Sequence, residues 1–258
     1  MRIVDQCGVC TSWTPDALQM IEQAGRTCYK SEAHITINSA TAFVRMLIKR
    51  GHEAMIEHAY ATFRFVCDRG LTHEPVRHRL ASFAQESTRF CRYSGGIVVV
   101  KPIDRNRLIS TIGIWRSRGT VLQIGSDKKD IFELMVFPCD GLNCNAGCER
   151  NGVFACNTGV SDCPYHLWED ACRNAEVSYL AMLDRGIKPQ IARAVLPTCL
   201  KTELVMTVNF REWRHVMRLR MSEAAHPQIQ VLIRQVYDWF KGIFPVIVED
   251  IVPSGGLP

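Results

Sequence analysis

Apolar residues recur along the chain at two spacings, and the switches between them mark out its elements. Leu18, Ile21 and Ala24 fall on one helical face just after Thr14-Pro15-Asp16. Thr is a favoured cap and Pro suits the first helical position, so a helix is predicted there with Thr14 as its N-cap. A second helix is expected from about Ser39 to Arg50, burying Phe43, Met46 and Leu47 and stopped by Gly51. Residues 59–67 alternate instead, with Phe63 and Phe65 on one face and Thr62 and Arg64 on the other, which reads as a strand. A short helix from about Leu71 is expected to deliver the segment that follows. Farther on, Trp168, Ala171, Ala175, Tyr179 and Met182 stripe a helix of about five turns. Leu204 to Val208 reads as a second strand, and Asn209 as the N-cap of a helix through Leu219. A last helix near Gln228 to Lys241 buries Ile229, Leu232, Val236, Trp239 and Ile243. Helices and strands mix without regular β-α-β alternation, so the class is α+β.

The stretch from about 104 to 164 lacks this periodicity. It carries Cys139, Cys144, Cys148, Cys156 and Cys163 at spacers that do not match a paired C-x-x-C zinc ribbon. Free thiols are the expectation and no metal is assigned, with zinc held by four of the five as the other reading. The stretch reads as a Cys-rich insertion in a single domain spanning 1–258. Cys7-Gly8-Val9-Cys10 is also C-x-x-C, but it lacks the strand-to-helix setting of a redox motif.

Composition narrows the class without deciding function. With 258 residues, 47% apolar and 22% charged, the chain is ordinary for a globular protein. A net charge of +5 suits an anionic small molecule as well as nucleic acid. The N-terminus has no apolar core of signal-peptide length, and Ile97 to Val100 and Phe244 to Val248 are far too short to cross a bilayer. A cytoplasmic protein with no membrane partner and reduced thiols is expected.

Candidate chemistry concentrates in residues 77–89, Arg-His-Arg-Leu-Ala-Ser-Phe-Ala-Gln-Glu-Ser-Thr-Arg. Guanidinium forks bind phosphates and planar carbonyl edges, and hydroxyls complete a phosphate shell. Such a segment suits a phosphorylated, carbonyl-bearing ligand such as a nucleotide or flavin. Arg77-His78-Arg79-x-x-Ser82-x-x-x-x-Ser87-x-Arg89 closely resembles the R-H-R-x-x-S-x-N-x-x-S-x-R signature of the flavin-dependent thymidylate synthases. Ala84 stands where that signature has Asn, and Phe90 where Tyr is more usual.

Three further blocks extend the resemblance. Gly51-His52-Glu53-x-x-x-Glu57-His58 is similar to the family's flavin-contacting G-H-x-x-x-x-E-H segment, with Ala54 in place of a hydroxyl residue. Read locally, it is a helix end where His52 complements the dipole. Arg193, in Ala192-Arg193-x-Val195-Leu196-Pro197, lies in an apolar helix end, so burial would demand either a ligand anion or an acid such as Asp184 or Glu203. In Asn209-Phe210-Arg211-x-x-x-His215-x-x-x-Leu219-Arg220, Arg211 and His215 share a helical face. An exposed basic helix is the plain explanation of Arg211, Arg214, Arg218 and Arg220. His215 stands where many members have Asn.

The resemblance implies a mainly antiparallel central sheet flanked by long helices. It also implies methylation of dUMP to dTMP, with methylenetetrahydrofolate giving the carbon, FAD carrying the hydride and NADPH as reductant. On it, Arg220 is catalytic; His52, Glu57, Arg77, His78, Arg79, Asn209, Arg211 and His215 meet FAD. Glu74, Arg77, Gln85, Glu86, Ser87, Thr88, Arg89, Arg193 and Arg220 meet dUMP. Arg77, His78 and Arg79, taken as helical, diverge by about 100° each, which fits sites shared between subunits of a homotetramer. Two rival readings remain: a member that binds flavin or nucleotide without turnover, and a basic nucleic-acid-binding module.

Overall fold

The computed structural model describes residues 1–102 and 164–253, with backbone alone at 164–166. The expected insertion at about 104–164, with Cys139, Cys144, Cys148, Cys156 and Cys163, lies outside the described side chains.

The alternating segment forms β3 (Tyr60–Asp68), the centre of the fold. It pairs antiparallel with β2 (Cys7–Trp13) on one side and β6 (Lys201–Asn209) on the other. β4 (Ala81–Gln85) adds antiparallel to β6, giving the order β2-β3-β6-β4. Register places Phe63 opposite Met206 and Phe65 opposite Leu204, so period-2 patterning on both strands points one apolar face inward. On the other face the hydroxyls of Thr62 and Thr207 meet at 2.9 Å, and Arg64 pairs with Glu203. A separate parallel pair joins β1 (Arg2–Val4) to β5 (Val98–Val100).

Helices close the inner face. α1 (Ala17–Tyr29) and α2 (Ser39–Lys49) pack together, and Gly51, at φ 72, ends α2 in the left-handed region that a Cβ disfavours. α3 (Pro164–Asp184) and the short α4 (Pro189–Ala192) precede β6. α5 (Phe210–Arg220) leaves β6 directly, and α6 (Pro227–Ile243) and α7 (Pro245–Val248) follow it. Trp213, Phe210, Phe240 and Val236 pack with Phe63 and Met206 in the main core. The Trp213 indole donates to the Ala61 carbonyl at 3.0 Å, locking α5 to β3. A second cluster forms under α3 from Ile97, Val99, Cys172, Tyr179 and Leu200.

Five sequence expectations need correction. Thr14 does not cap α1: its hydroxyl accepts from the Tyr60 amide at 3.1 Å, and Asp16 takes the cap position. Residues 71–89 form no regular helix. Pro75 lacks the amide a longer helix would use, so the chain makes 3-10 turns at Leu71–His73 and Pro75–Arg77 and then runs out as β4. On α3 the buried positions are Cys172, Tyr179 and Leu183, while Ala171 faces solvent. Ile243 is exposed at the end of α6. The second strand is longer than Leu204 to Val208, because Thr202 continues its buried face.

Candidate functional site

The site is built on α5 and the turns that precede β4. Asn209 caps α5 as its side-chain position predicts, accepting from the Glu212 amide at 2.8 Å. Its side-chain oxygen is thereby committed to the helix. Val216, Met217 and Trp213 bury one face of α5, while Arg211, His215, Arg218 and Leu219 lie exposed.

The basic residues of α5 are tied down one by one. Arg211 pairs with Glu57, which links the first turn of α5 to the corner after Gly51. Arg214 is not an exposed basic residue but is fully buried. Its guanidinium takes Asp250 at 2.7 and 2.8 Å, Glu53 at 3.2 Å and the Ile247 carbonyl. Arg218 reaches Asp250 at 2.9 Å. Asp250 is held below its usual carboxylate range, first by the Arg214 hydrogen bond. His52 is exposed at the start of the 3-10 turn Glu53–His58, next to exposed Ala54.

At the last turn of α5, Arg220 turns inward to the signature. Its Nε donates to His78 Nε2 at 3.1 Å; Nη1 donates to the Glu74 carboxylate at 2.8 Å, and Nη2 to the Glu74 carbonyl at 3.0 Å. The other His78 nitrogen, Nδ1, lies 3.0 Å from Glu212 Oε1. His78 is 5% exposed and takes an extended conformation, whereas Arg77 and Arg79 on either side face solvent. The triplet therefore diverges because the backbone unwinds after Arg77, not because it is helical. Burial holds His78 below the usual histidine range, with Arg220 adding to the effect against its bond to Glu212. Beneath His78 and Arg220 lies an apolar crevice walled by Phe65, Leu204, Met206 and Ile229.

The far end of the signature forms a second polar group. Gln85 donates to Thr72 at 3.0 Å, on the 3-10 turn that precedes Glu74. Glu86 accepts from Lys201 at 2.8 Å and from the Tyr93 hydroxyl at 2.9 Å. Ser87 accepts from the Arg89 amide at 3.3 Å, and Arg89 itself is exposed over Phe90. Arg193 is exposed rather than buried, and it donates to the Thr88 hydroxyl at 3.0 Å instead of pairing with Asp184 or Glu203. Ala84, on β4 opposite Val205, is exposed and offers no amide.

Sequence reasoning missed Glu212, Glu53 and Asp250. Glu212 carries a local signal, the Asn209-x-x-Glu212 spacing of a capping box, but its carboxylate reaches His78 instead of closing that box. Among the described residues, His78, Glu212 and His215 also form one group whose ligand atoms lie within 4.8 Å of one another. The Arg220 cation on the far nitrogen of His78 opposes a metal ion there.

A sequence profile for the family described as "Thymidylate synthase complementing protein" matches residues 10–246. A flavin-dependent thymidylate synthase of Geobacter sulfurreducens is 27% identical over 249 residues, covering 93% of this chain and 84% of the relative. One from Mycobacteroides abscessus is 29% identical over 242 residues, covering 90% and 81%. Among solved structures, thymidylate synthase X of Helicobacter pylori with FAD and dUMP aligns with a TM-score of 0.62 at 22% identity, over 95% of this chain and 98% of that one. The UMP/dUMP methylase PolB of Streptomyces cacaoi, bound with 5-Br dUMP, aligns with a TM-score of 0.67 at 22% identity, over 99% and 98%. At that identity both structures bear on the fold, which is of the same mixed helix-and-sheet kind.

Proposed function

The chain belongs to the thymidylate synthase complementing protein family, and from that premise we propose how its own residues carry out the family's reaction. The protein is a flavin-dependent thymidylate synthase: it converts dUMP to dTMP with methylenetetrahydrofolate, NADPH and FAD. The carrying observation is the match over residues 10–246, which spans all four motif blocks.

The residues present suit a flavin. Exposed Arg77, Arg79 and Arg211, with exposed His52 and His215, form a donor set matched to a pyrophosphate and a carbonyl-bearing ring. Together with Glu57, His78 and Asn209 they are our assignment for FAD. When bound, FAD supplies the hydride that turns the transferred one-carbon unit into a methyl group.

Arg220 is our catalytic residue. Uracil C5 is a weak nucleophile, and the enolate-like form that makes it reactive carries negative charge on N3 and O4. The Arg220 guanidinium uses one N–H of each terminal nitrogen at Glu74, and each terminal nitrogen carries a second. Those two can meet the developing charge without any reorganisation of the arginine. Glu74, Gln85, Glu86, Ser87, Thr88, Arg89, Arg77 and Arg193 are assigned to the rest of dUMP, with Ser87, Thr88, Arg89 and Arg193 at its phosphate. The Arg193–Thr88 bond supports that grouping.

We assign a homotetramer with sites between subunits. Leu80 within the signature and Phe90 just after it, 69% and 81% exposed, support a covering surface there. The chain is treated as one synthase domain carrying an insertion at about 104–164, in the cytoplasm. No helix among the described residues is long and apolar enough to cross a membrane. The nucleic-acid reading loses ground because Arg211, Arg214, Arg218 and Arg220 are each paired with an acid of the same chain. Chromatographic detection of dTMP from dUMP, dependent on FAD, NADPH and methylenetetrahydrofolate, tests the reaction. Flavin and dUMP binding without dTMP would instead support the inactive-member reading, which exposed Ala54 and Ala84 motivate.

A further inference from the structure

We propose that Glu212 is a positioning residue for the methylation: through the buried His78 imidazole it fixes the hydrogen-bond polarity that holds Arg220 toward the pyrimidine. The inference rests on the thymidylate synthase reading only for what Arg220 meets.

Two contacts define the polarity. Arginine Nε always carries a hydrogen, so in the 3.1 Å contact with His78 Nε2 the imidazole nitrogen must accept. A neutral imidazole has one donor and one acceptor nitrogen, which leaves the proton on Nδ1. Nδ1 lies 3.0 Å from Glu212 Oε1, and an ionised carboxylate can only accept. The arrangement is self-consistent in one direction alone, from Arg220 to His78 to Glu212. Without the carboxylate either nitrogen could carry the proton, and Nε2–H would confront the Arg220 N–H.

The geometry makes this bond structural for the arginine. Glu212 and Arg220 stand eight residues apart on α5, about 12 Å along the axis, and His78 bridges them from another segment. Glu212 is itself placed by the Asn209 cap on its amide. Arg220 is thus gripped at Nε by His78 and at both terminal nitrogens by Glu74. The groups facing His78 are Glu212, His215 and Arg220 from α5; through Arg220 it connects to Glu74 on the turn. Burial together with the Arg220 charge keeps the imidazole neutral, as the polarity requires. Both ring nitrogens are occupied, so His78 would meet the flavin through its ring carbons or backbone, while its nitrogens orient Arg220.

The test uses the full-length FAD-bound protein with histidine labelled at the ring nitrogens. The His78 resonances, identified by their loss in His78→Gln, are expected to show a protonated Nδ1 and a bare Nε2. Glu212→Gln, whose amide oxygen can accept the same bond, should keep that pattern and keep kcat within about threefold. Glu212→Ala should lose the pattern and lower kcat by on the order of tenfold to a hundredfold, with FAD content unchanged. A native proton on Nε2 overturns the proposal, as does a Glu212→Ala protein that keeps both tautomer and kcat. Should Glu212→Ala fail to fold, Glu212→Asp retracts the carboxylate by about 1.5 Å and should show the same losses; unchanged kcat there also overturns it. If the native protein shows the expected tautomer but makes no dTMP, the substrate reading falls and the Glu212–His78–Arg220 order stands.

Discussion

At Arg220 a lysine would keep the charge and lose the fork. One ammonium cannot hold His78 Nε2, the Glu74 carboxylate and the Glu74 carbonyl in the arginine's fixed plane while still facing a substrate. Steady-state assay of Arg220→Lys should therefore show kcat lowered by on the order of a hundredfold, with bound flavin retained. Loss of less than about threefold would remove Arg220 from the chemistry. The thiols behave oppositely. Burial pushes Cys7 up to about 11 and Cys10 and Cys172 up to about 12, so none is a thiolate near neutrality. Cys199 lies 3.4 Å from Cys172, in thiol contact within the second core cluster. Turnover of Cys91→Ala and Cys199→Ala should stay within about twofold of the native enzyme; a larger loss with FAD intact would admit a cysteine nucleophile. His78 adds a pH signature. Its folded value lies below the ordinary 6.5, so below that pH the unfolded chain binds the proton first. Melting temperature should fall as pH drops from 6.5 through the folded value, and His78→Gln should flatten that slope.

Among the elements, α5 depends most on contacts that its own sequence hides. Arg214 is buried against Asp250 and Glu53, which are 41% and 23% exposed, so its removal strands two partly solvated acids. Arg214→Met should cost about 2–4 kcal/mol in denaturant unfolding, toward the low end because those acids reach water. A cost under about 0.5 kcal/mol would show the pair to be dispensable. The helices with a clear apolar stripe were legible: α2 and α6 fall within a few residues of their expected bounds, and Asn209 caps α5 as anticipated. So was β3, whose Phe63 and Phe65 alternate with Thr62 and Arg64. Short strands were not. β4 reads as a motif rather than a strand, because its Ser82 and Ala84 face solvent and its pairing lies on β6, more than a hundred positions away. The Glu212–His78 bond hides for the same reason, its partners being 134 positions apart. Arg214 looked like a surface cation since Asp250 sits beyond the next helix. The four motif blocks named the candidate residues; the order of contacts among them needed the fold.

For the whole molecule, exposed Leu80 and Phe90 place the burden on assembly. Light scattering should give a mass four times the 29.2 kDa chain, and Phe90→Asp should shift it toward smaller species with loss of dTMP formation. A fully active monomer would remove the shared-site assignment. The most direct measurement is the visible spectrum of the purified, FAD-loaded protein under anaerobic conditions. NADPH should bleach the flavin band, and dUMP with methylenetetrahydrofolate should then restore it without oxygen as dTMP appears. A protein that neither carries nor takes up FAD, or whose reduced flavin stays bleached with both substrates present, would contradict the synthase assignment.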